Sequence, residues 1–235
     1  MPQVRIVHFS DLHSRAIELP KADVYVCTGD MAPNWPTVDQ DRGVGMFSRY
    51  IDKGKEHRLQ TEWFAARGAE GFYRSKFGSP QAPVVCVRGN HDFADLAPAF
   101  SGGTVHEVQV PEETFQLYGL NFGGFRGIRE VSPFHEWSDE MDPAELSQLA
   151  GRVPLDVDVL VTHVPCGGIL DDYDGENLGC YGIGNMINVR EYGGSRRLMA
   201  HMFGHIHERR GVLRVGEVVF SNAATGFNVI DLEVP

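Results

Sequence analysis

Nine side chains in five short motifs carry the residue types from which a reactive metal centre is made. They are Asp11 and His13 in SDLH, Asp30 in TGD, Asn90, His91 and Asp92 in RGNHD, His163 in THVP, and His205 with His207 in GHIH. Carboxylate and imidazole ligands without a thiolate suit manganese, iron, zinc or cobalt better than a closed structural zinc site. The ligands outnumber what one ion takes. Two cations about 3.5–4 Å apart need a carboxylate between them, and Asp30, alone in its motif, is the natural bridge. Water trapped there would give up a proton and become an attacking hydroxide. His205 and His207, two residues apart at what reads as a strand end, would point to one face and into one small volume.

The elements that must position these groups are four apolar, β-branched runs: Val4 to Phe9, Ala22 to Cys27, Ala82 to Val87 and Val157 to Thr162. Near-continuous apolar strands are buried on both faces, and each run is followed at once by one of the motifs. Loops at the carboxyl ends of such strands meet along one sheet edge. Leu59, Trp63 and Ala66, then Tyr73 and Phe77, recur at helical spacing and predict an amphipathic helix with those residues inward. A second helix is predicted from Asp142 as N-cap, with Pro143 at its first position and Glu145 at its third. Short strands with turn glycines over residues 102–127 and in the tail predict antiparallel pairing. Residues 175–194 read as a long irregular connection of the kind that walls a substrate site. Together these predict an α/β domain with a second sheet or one long mixed sheet.

Composition sets outer bounds. The chain has 235 residues, 42% of them hydrophobic and 23% charged, which is ordinary for a globular protein with a sizeable core. No apolar run is long enough to cross a bilayer and the start lacks signal-peptide character, so a cytoplasmic protein with no membrane association is expected. The formal net charge of −11 weighs against a broad grip on nucleic acid. Cys27, Cys86, Cys166 and Cys180 have no paired spacing and read as buried thiols.

The motif series D-x-H, GD, GNHD, a later H and GH-x-H, spanning Asp11 to His207, closely resembles the calcineurin-like metallophosphoesterases. The resemblance implies a four-layer αββα sandwich, two mixed β-sheets flanked by helices, as one domain over residues 1–235. It implies one divalent ion on Asp11, His13, Asp30 and His207, and a second on Asp30, Asn90, His163 and His205. Manganese would be the first occupant, with iron, zinc, cobalt or nickel as others. His91 would protonate the leaving oxygen or stabilise its charge, with Asp92 orienting it.

Finer features separate this chain from the Ser/Thr protein phosphatases, which carry GD-x-x-DRG. Here Met31, Ala32, Pro33, Asn34 and Trp35 follow Asp30, and the DRG at Asp41 to Gly43 lies too far downstream. Arg88 either contacts phosphate, as its place before GNHD suggests, or pairs with a surface carboxylate. The segments THVPCGGILD and FGHIHE look more like the phosphodiesterase-type branch that includes the MPPED proteins and is related to class III cyclic-nucleotide phosphodiesterases. Members usually have a proline pair where this chain has Pro165 and Cys166. The resemblance therefore implies hydrolysis of a small phosphorylated substrate, a phosphodiester first. A phosphomonoesterase or protein phosphatase is the alternative within enzymes, and a scaffold without turnover is the alternative outside them.

Outside the motifs, His8, His57, His106, His135 and His201 have no assigned chemistry, and His201 reads as structural. An aromatic in SPFHEW, Ser132 to Trp137, is expected to pin its own loop. Asn222 could approach the site from behind, and Asp171, Asp172 and Asp174 read as solvated loop carboxylates.

Overall fold

A computed structural model describes residues 2–33, 51–130, 137–193 and 198–234. The expectations placed on Asn34 and Trp35, on 41–43 and on His135 fall outside them. The strands in chain order are β1 (Gln3–Ser10), β2 (Val24–Cys27), β3 (Val84–Cys86), β4 (Val105–Glu107), β5 (Thr114–Leu117), β6 (Leu120–Phe125), β7 (Ile128–Arg129) and β8 (Glu140–Met141). They continue as β9 (Val159–Thr162), β10 (Asp172–Tyr173), β11 (Glu176–Asn177), β12 (Ala200–Phe203), β13 (Gly211–Val215), β14 (Val218–Asn222) and β15 (Gly226–Glu233). The helices are α1 (Lys53–Ala69), α2 (Pro143–Arg152) and α3 (Tyr181–Tyr192).

One sheet has the order β15-β1-β2-β3-β4, with β1 to β4 parallel and β15 antiparallel to β1. The other has the order β13-β14-β12-β9-β6-β5, parallel at its centre and antiparallel at both edges. Both are therefore mixed. Successive strand residues serve opposite layers, which is why the apolar runs lack polar alternation. In β2, Val24 and Val26 face the second sheet while Tyr25 and Cys27 join Phe64, Tyr73, Phe77 and Phe100 on the helix side. In β9, Val159 and Val161 face the first sheet, while Leu160 packs with Leu146, Ala150, Ile183 and Met186 of α2 and α3. The result is a helix–sheet–sheet–helix sandwich, the architecture that the resemblance implied.

Several expectations change in detail. The helix foreseen across Leu59 to Phe77 ends at Ala69, and its buried residues are Glu56, Gln60, Phe64 and Gly68, not Leu59, Trp63 and Ala66. Gln60 is inward because it bonds the loop after β3: its Nε2 donates to the His91 carbonyl and its Oε1 accepts from Phe93 N. A burial face that is half polar is invisible to a search for apolar periodicity. Residues 175–194 are not an irregular connection: they contain half of the β10–β11 hairpin and the whole of α3. Gly182 and Gly184 weaken the helical signal in its first turn, and Gly182 is where α3 lies against Ser147 of α2. The strand β4 pairs parallel with β3, whereas antiparallel pairing was expected. The second predicted helix is in place, with Asp142 accepting from Ala144 N at its start. The four cysteines are buried free thiols, and among the described residues no helix is long and apolar enough to cross a membrane.

Phe122 is fully buried between the two sheets. Phe122→Ala should lower the unfolding free energy by about 3–5 kcal/mol, seen as an earlier urea midpoint with an unchanged slope.

Candidate metal centre and active site

All the motif residues lie beyond the carboxyl ends of strands from both sheets. Asp11 and His13 follow β1, Asp30 follows β2, Asn90 to Asp92 follow β3, His163 follows β9, and His205 and His207 follow β12. The chain turns sharply there. Asp11, His13, Asp30 and His205 all take the left-handed backbone conformation, with φ of 54°, 44°, 53° and 72°, a region costly for residues with a Cβ and concentrated at functional sites. Neither His205 nor His207 is in a strand, so the extended geometry expected for them is corrected. The left-handed turn at His205 aims it at Asn90 Oδ1 (3.1 Å), and His207, opening a short 3₁₀ turn, reaches Asp11 Oδ1 (3.1 Å). Asn222 Nδ2 holds the carbonyl of Ile206 between them at 2.8 Å, from the position behind the site that the sequence suggested. The motif glycines allow the close approach: a Cβ on Gly204 would overlap the Asp11 carboxylate, and one on Gly89 would overlap that of Asp30.

Two groups of donor atoms gather within 4.8 Å of one another, Asp11 with His13 and His207, and Asp11 with Asp30 and His163. Asn90 Oδ1 adds to the second, 3.1 Å from both His163 Nε2 and His205 Nδ1. Backbone carbonyls set two of the imidazoles: Thr28 O lies 2.5 Å from His163 Nδ1, and Ala32 O lies 3.3 Å from His13 Nδ1. With Nδ1–H of His163 donated to Thr28, its Nε2 lone pair faces Asn90 Oδ1 and Asp30 Oδ2 (3.4 Å). Acceptor against acceptor is repulsive unless something positive lies between. This donor set fits divalent cations held by oxygen and nitrogen.

Protons respond to the same field. Burial pulls the His163 pKa down, but the Asp30 and Asp11 carboxylates and the Thr28 carbonyl outweigh it and raise it well above the usual imidazole range. Asp30 moves the opposite way, held low by His163 and His91 against its burial. His205 is pushed down to about 3 by burial and by His163.

The catalytic pair expected from the sequence divides. His91 lines the site, its ring edge-on to His13 at 5.0 Å and its Nε2 3.9 Å from Asp30 Oδ2; burial lowers its pKa. Asp92 does not orient it. The carboxylate of Asp92 accepts from the backbone N–H groups of Asp30 and Gly89 on Oδ2 and of Met31 and Ala32 on Oδ1. Burial and the Asp30 charge raise its pKa, yet a proton on either oxygen would confront a donor, so the carboxylate form suits this nest. Its work is to weld the loop after β2 to the loop after β3.

Of the two readings of Arg88, the structure shows the carboxylate pair: Nη2 lies 2.7 Å from Asp139 Oδ2 and the side chain is 11% exposed. The acidic trio is not uniformly solvated, because Asp171 is buried and caps Gly168 N and Gly179 N. Sequence reasoning missed Thr28, Gln60 and His8, whose Nε2 lies 2.9 Å from Thr28 Oγ1 and whose Nδ1 lies 2.8 Å from Ser221 Oγ. It also gave Trp137 no contact with the motifs, whereas its ring packs against His91 with centroids 4.1 Å apart and planes inclined by 38°. The TGD motif could have suggested Thr28; nothing in the spacing marked the others.

Asp30, Asn90, His91, His205 and His207 open into a cavity of about 590 Å³, walled further by Arg129, Glu130, Tyr173, Asp174, Glu176, Leu178, Ile206 and Glu208.

A paired-sheet sandwich with a carboxylate–imidazole cluster where the strand ends of both sheets meet defines a class of metal-dependent phosphoester hydrolases. The calcineurin-like phosphoesterase family model matches residues 4–209, and the chain belongs to that family. It is 38% identical to human metallophosphoesterase domain-containing protein 1, over 94% of this chain and 65% of that protein. It is 26% identical to UPF0046 protein K07C11.7 of Caenorhabditis elegans, over 95% of this chain and 70% of the worm protein. The chain thus spans about two thirds of the length of these curated relatives. One solved crystal structure superposes with a TM-score of 0.63 at 12% identity, over 98% of this chain and 95% of its own, which speaks for the fold alone.

Asp92→Ala would strand four buried N–H groups and should cost at least about 3 kcal/mol, read as a fall in Tm. Because the His163 proton must leave before a cation can enter, metal binding near neutral pH should release protons and weaken as pH falls. Calorimetry in buffers of different ionisation enthalpy measures this, and an identical heat in every buffer would contradict it.

Proposed function

We propose that this chain is a divalent-metal-dependent phosphodiesterase that cleaves small, nucleotide-like diesters. The observation that carries the reading is the convergence of Asp11, His13, Asp30, Asn90, His163, His205 and His207, with Nε2 of His163 set 3.1 Å from Asn90 Oδ1 and 3.4 Å from Asp30 Oδ2. Asp11, His13, Asp30 and His207 would hold one cation, and Asp30, Asn90, His163 and His205 the other. Manganese is our first choice of metal. When bound, the cations supply positive charge for the phosphoryl oxygens and make hydroxide available from water at neutral pH. His91 gives its proton to the leaving oxygen as the bond from phosphorus breaks. Asp92 and Gln60 keep the loop that carries His91 in place.

The cavity wall supports diesters over monoesters. It offers four carboxylates, Glu130, Asp174, Glu176 and Glu208, against one guanidinium, Arg129. A diester carries one negative charge where a monoester carries about two near neutral pH, and Arg88 is engaged with Asp139. A surface of this sign also suits a small substrate better than a polyanion.

Hydrolysis of bis-p-nitrophenyl phosphate and p-nitrophenyl phosphate, with Mn²⁺ and with a chelator, tests this. Turnover that needs metal and is faster on the diester is the expected result; faster monoester cleavage would overturn the diester reading. No turnover with any divalent ion in folded protein would leave a scaffold. Asp30→Asn should lose bound metal, and an unchanged metal content would remove Asp30 from the centre.

A further inference from the structure

An imidazole that delivers a proton must point its nitrogen at the acceptor, and enzymes usually fix that direction by a hydrogen bond to the opposite ring nitrogen. His91 lacks this device. Its Nδ1 is buried without a hydrogen-bond partner among the described residues, and Asp92, its sequence neighbour, is spent on backbone N–H groups. The main chain of His91 is held, with N donating to Asp30 Oδ1 and O accepting from Gln60 Nε2. Rotation of the ring about its bond to Cβ is left to packing.

That packing is supplied by Trp137. The two ring centroids are 4.1 Å apart and the planes are inclined by 38°, while His13 meets His91 edge-on. Trp137 is itself anchored. Its N donates to Glu140 Oε2 at 3.1 Å, its carbonyl accepts from Lys53 Nζ at 2.9 Å, and the next residue, Ser138, donates from N to the Asn90 carbonyl at 2.9 Å. The main chain that carries the indole is therefore fastened to the turn that carries His91.

We infer that Trp137 is a positioning residue: its face fixes the plane of the His91 ring so that Nε2 addresses the leaving oxygen. An indole face accepts a neutral imidazole and an imidazolium alike, so the plane is kept while the proton leaves and returns. The inference rests on the reading of His91 as proton donor.

The experiment compares wild type, His91→Ala, Trp137→Leu and Trp137→Phe on a series of aryl methyl phosphates that differ in the pKa of the leaving phenol, with bound metal measured in each. A proton donor matters most when the leaving group is poor. His91→Ala should steepen the dependence of kcat on leaving-group pKa and cost about 100-fold on the poorest one. Trp137→Leu should steepen it in the same sense, with about a tenfold loss on the poorest leaving group, unchanged metal content and little change in KM. Trp137→Phe should recover most of the loss. In the metal-free wild-type protein, the His91 ring protons should show an upfield ring-current shift from the indole, a readout that needs no variant to fold. Unshifted protons, or a Trp137→Leu loss that is equal for every leaving group, would overturn the role of Trp137. If His91→Ala steepens the dependence and Trp137→Leu does not, only the inference fails. If His91→Ala leaves the dependence unchanged, the reading of His91 fails and takes the inference with it.

Discussion

The structure depends on a confrontation of like with like. At the mouth of the sandwich, two carboxylates, an amide oxygen and several imidazole nitrogens are brought within a few ångströms of one another. In an apolar interior this would be prohibitively unfavourable, because buried charge of one sign has to be compensated. The fold imposes it with backbone. Carbonyls of Thr28 and Ala32 fix two imidazoles, the Asp92 carboxylate ties two loops, and left-handed residues turn the side chains inward. Protons on His163 or divalent cations are the alternative ways of balancing the charge. The same cluster is thus both a burden on the fold and the basis of its chemistry.

The four layers explain how that burden is carried. Each sheet presents alternate residues to the other sheet and to its own helices, so three separate apolar clusters back the loops. Some polar groups in this interior hold backbone far from the site, as Arg190 does with the carbonyls of Val157 and Pro154, and others serve the site. His8 bridges Thr28 and Ser221 between the sheets, and Gln60 reaches from α1 to both sides of Asp92 along the chain.

How much of this was legible in the sequence follows from what kind of signal each part leaves. The strands announced themselves because burial on both faces needs unbroken apolar runs, and the ligands because chemistry restricts residue type: aspartate and histidine at strand ends have few substitutes. The face of α1 was misread because it buries Glu56 and Gln60, and α3 because its glycines mimic a loop. Asp92 and Arg88 show a different limit. A motif gives the identity of a residue and its approximate place, but whether its side chain faces the cavity or the protein is decided by partners far along the chain, here the N–H groups of residues 30 to 32 and Asp139. Trp137 left no periodic or motif signal at all, since one aromatic in an irregular segment can reach anything nearby.

The pairing of β15 with β1 has a consequence for how the molecule is made. β1 carries Asp11 and His13 at its end, yet one of its two neighbours is the final strand, more than two hundred residues later. As the chain leaves the ribosome, β1 keeps a bare hydrogen-bonding edge until the more than two hundred residues between it and β15 have emerged, a condition that invites pairing with other chains. Completion of the first sheet therefore waits for β15, and loss of β15 would strike the strand that leads into the very first motif.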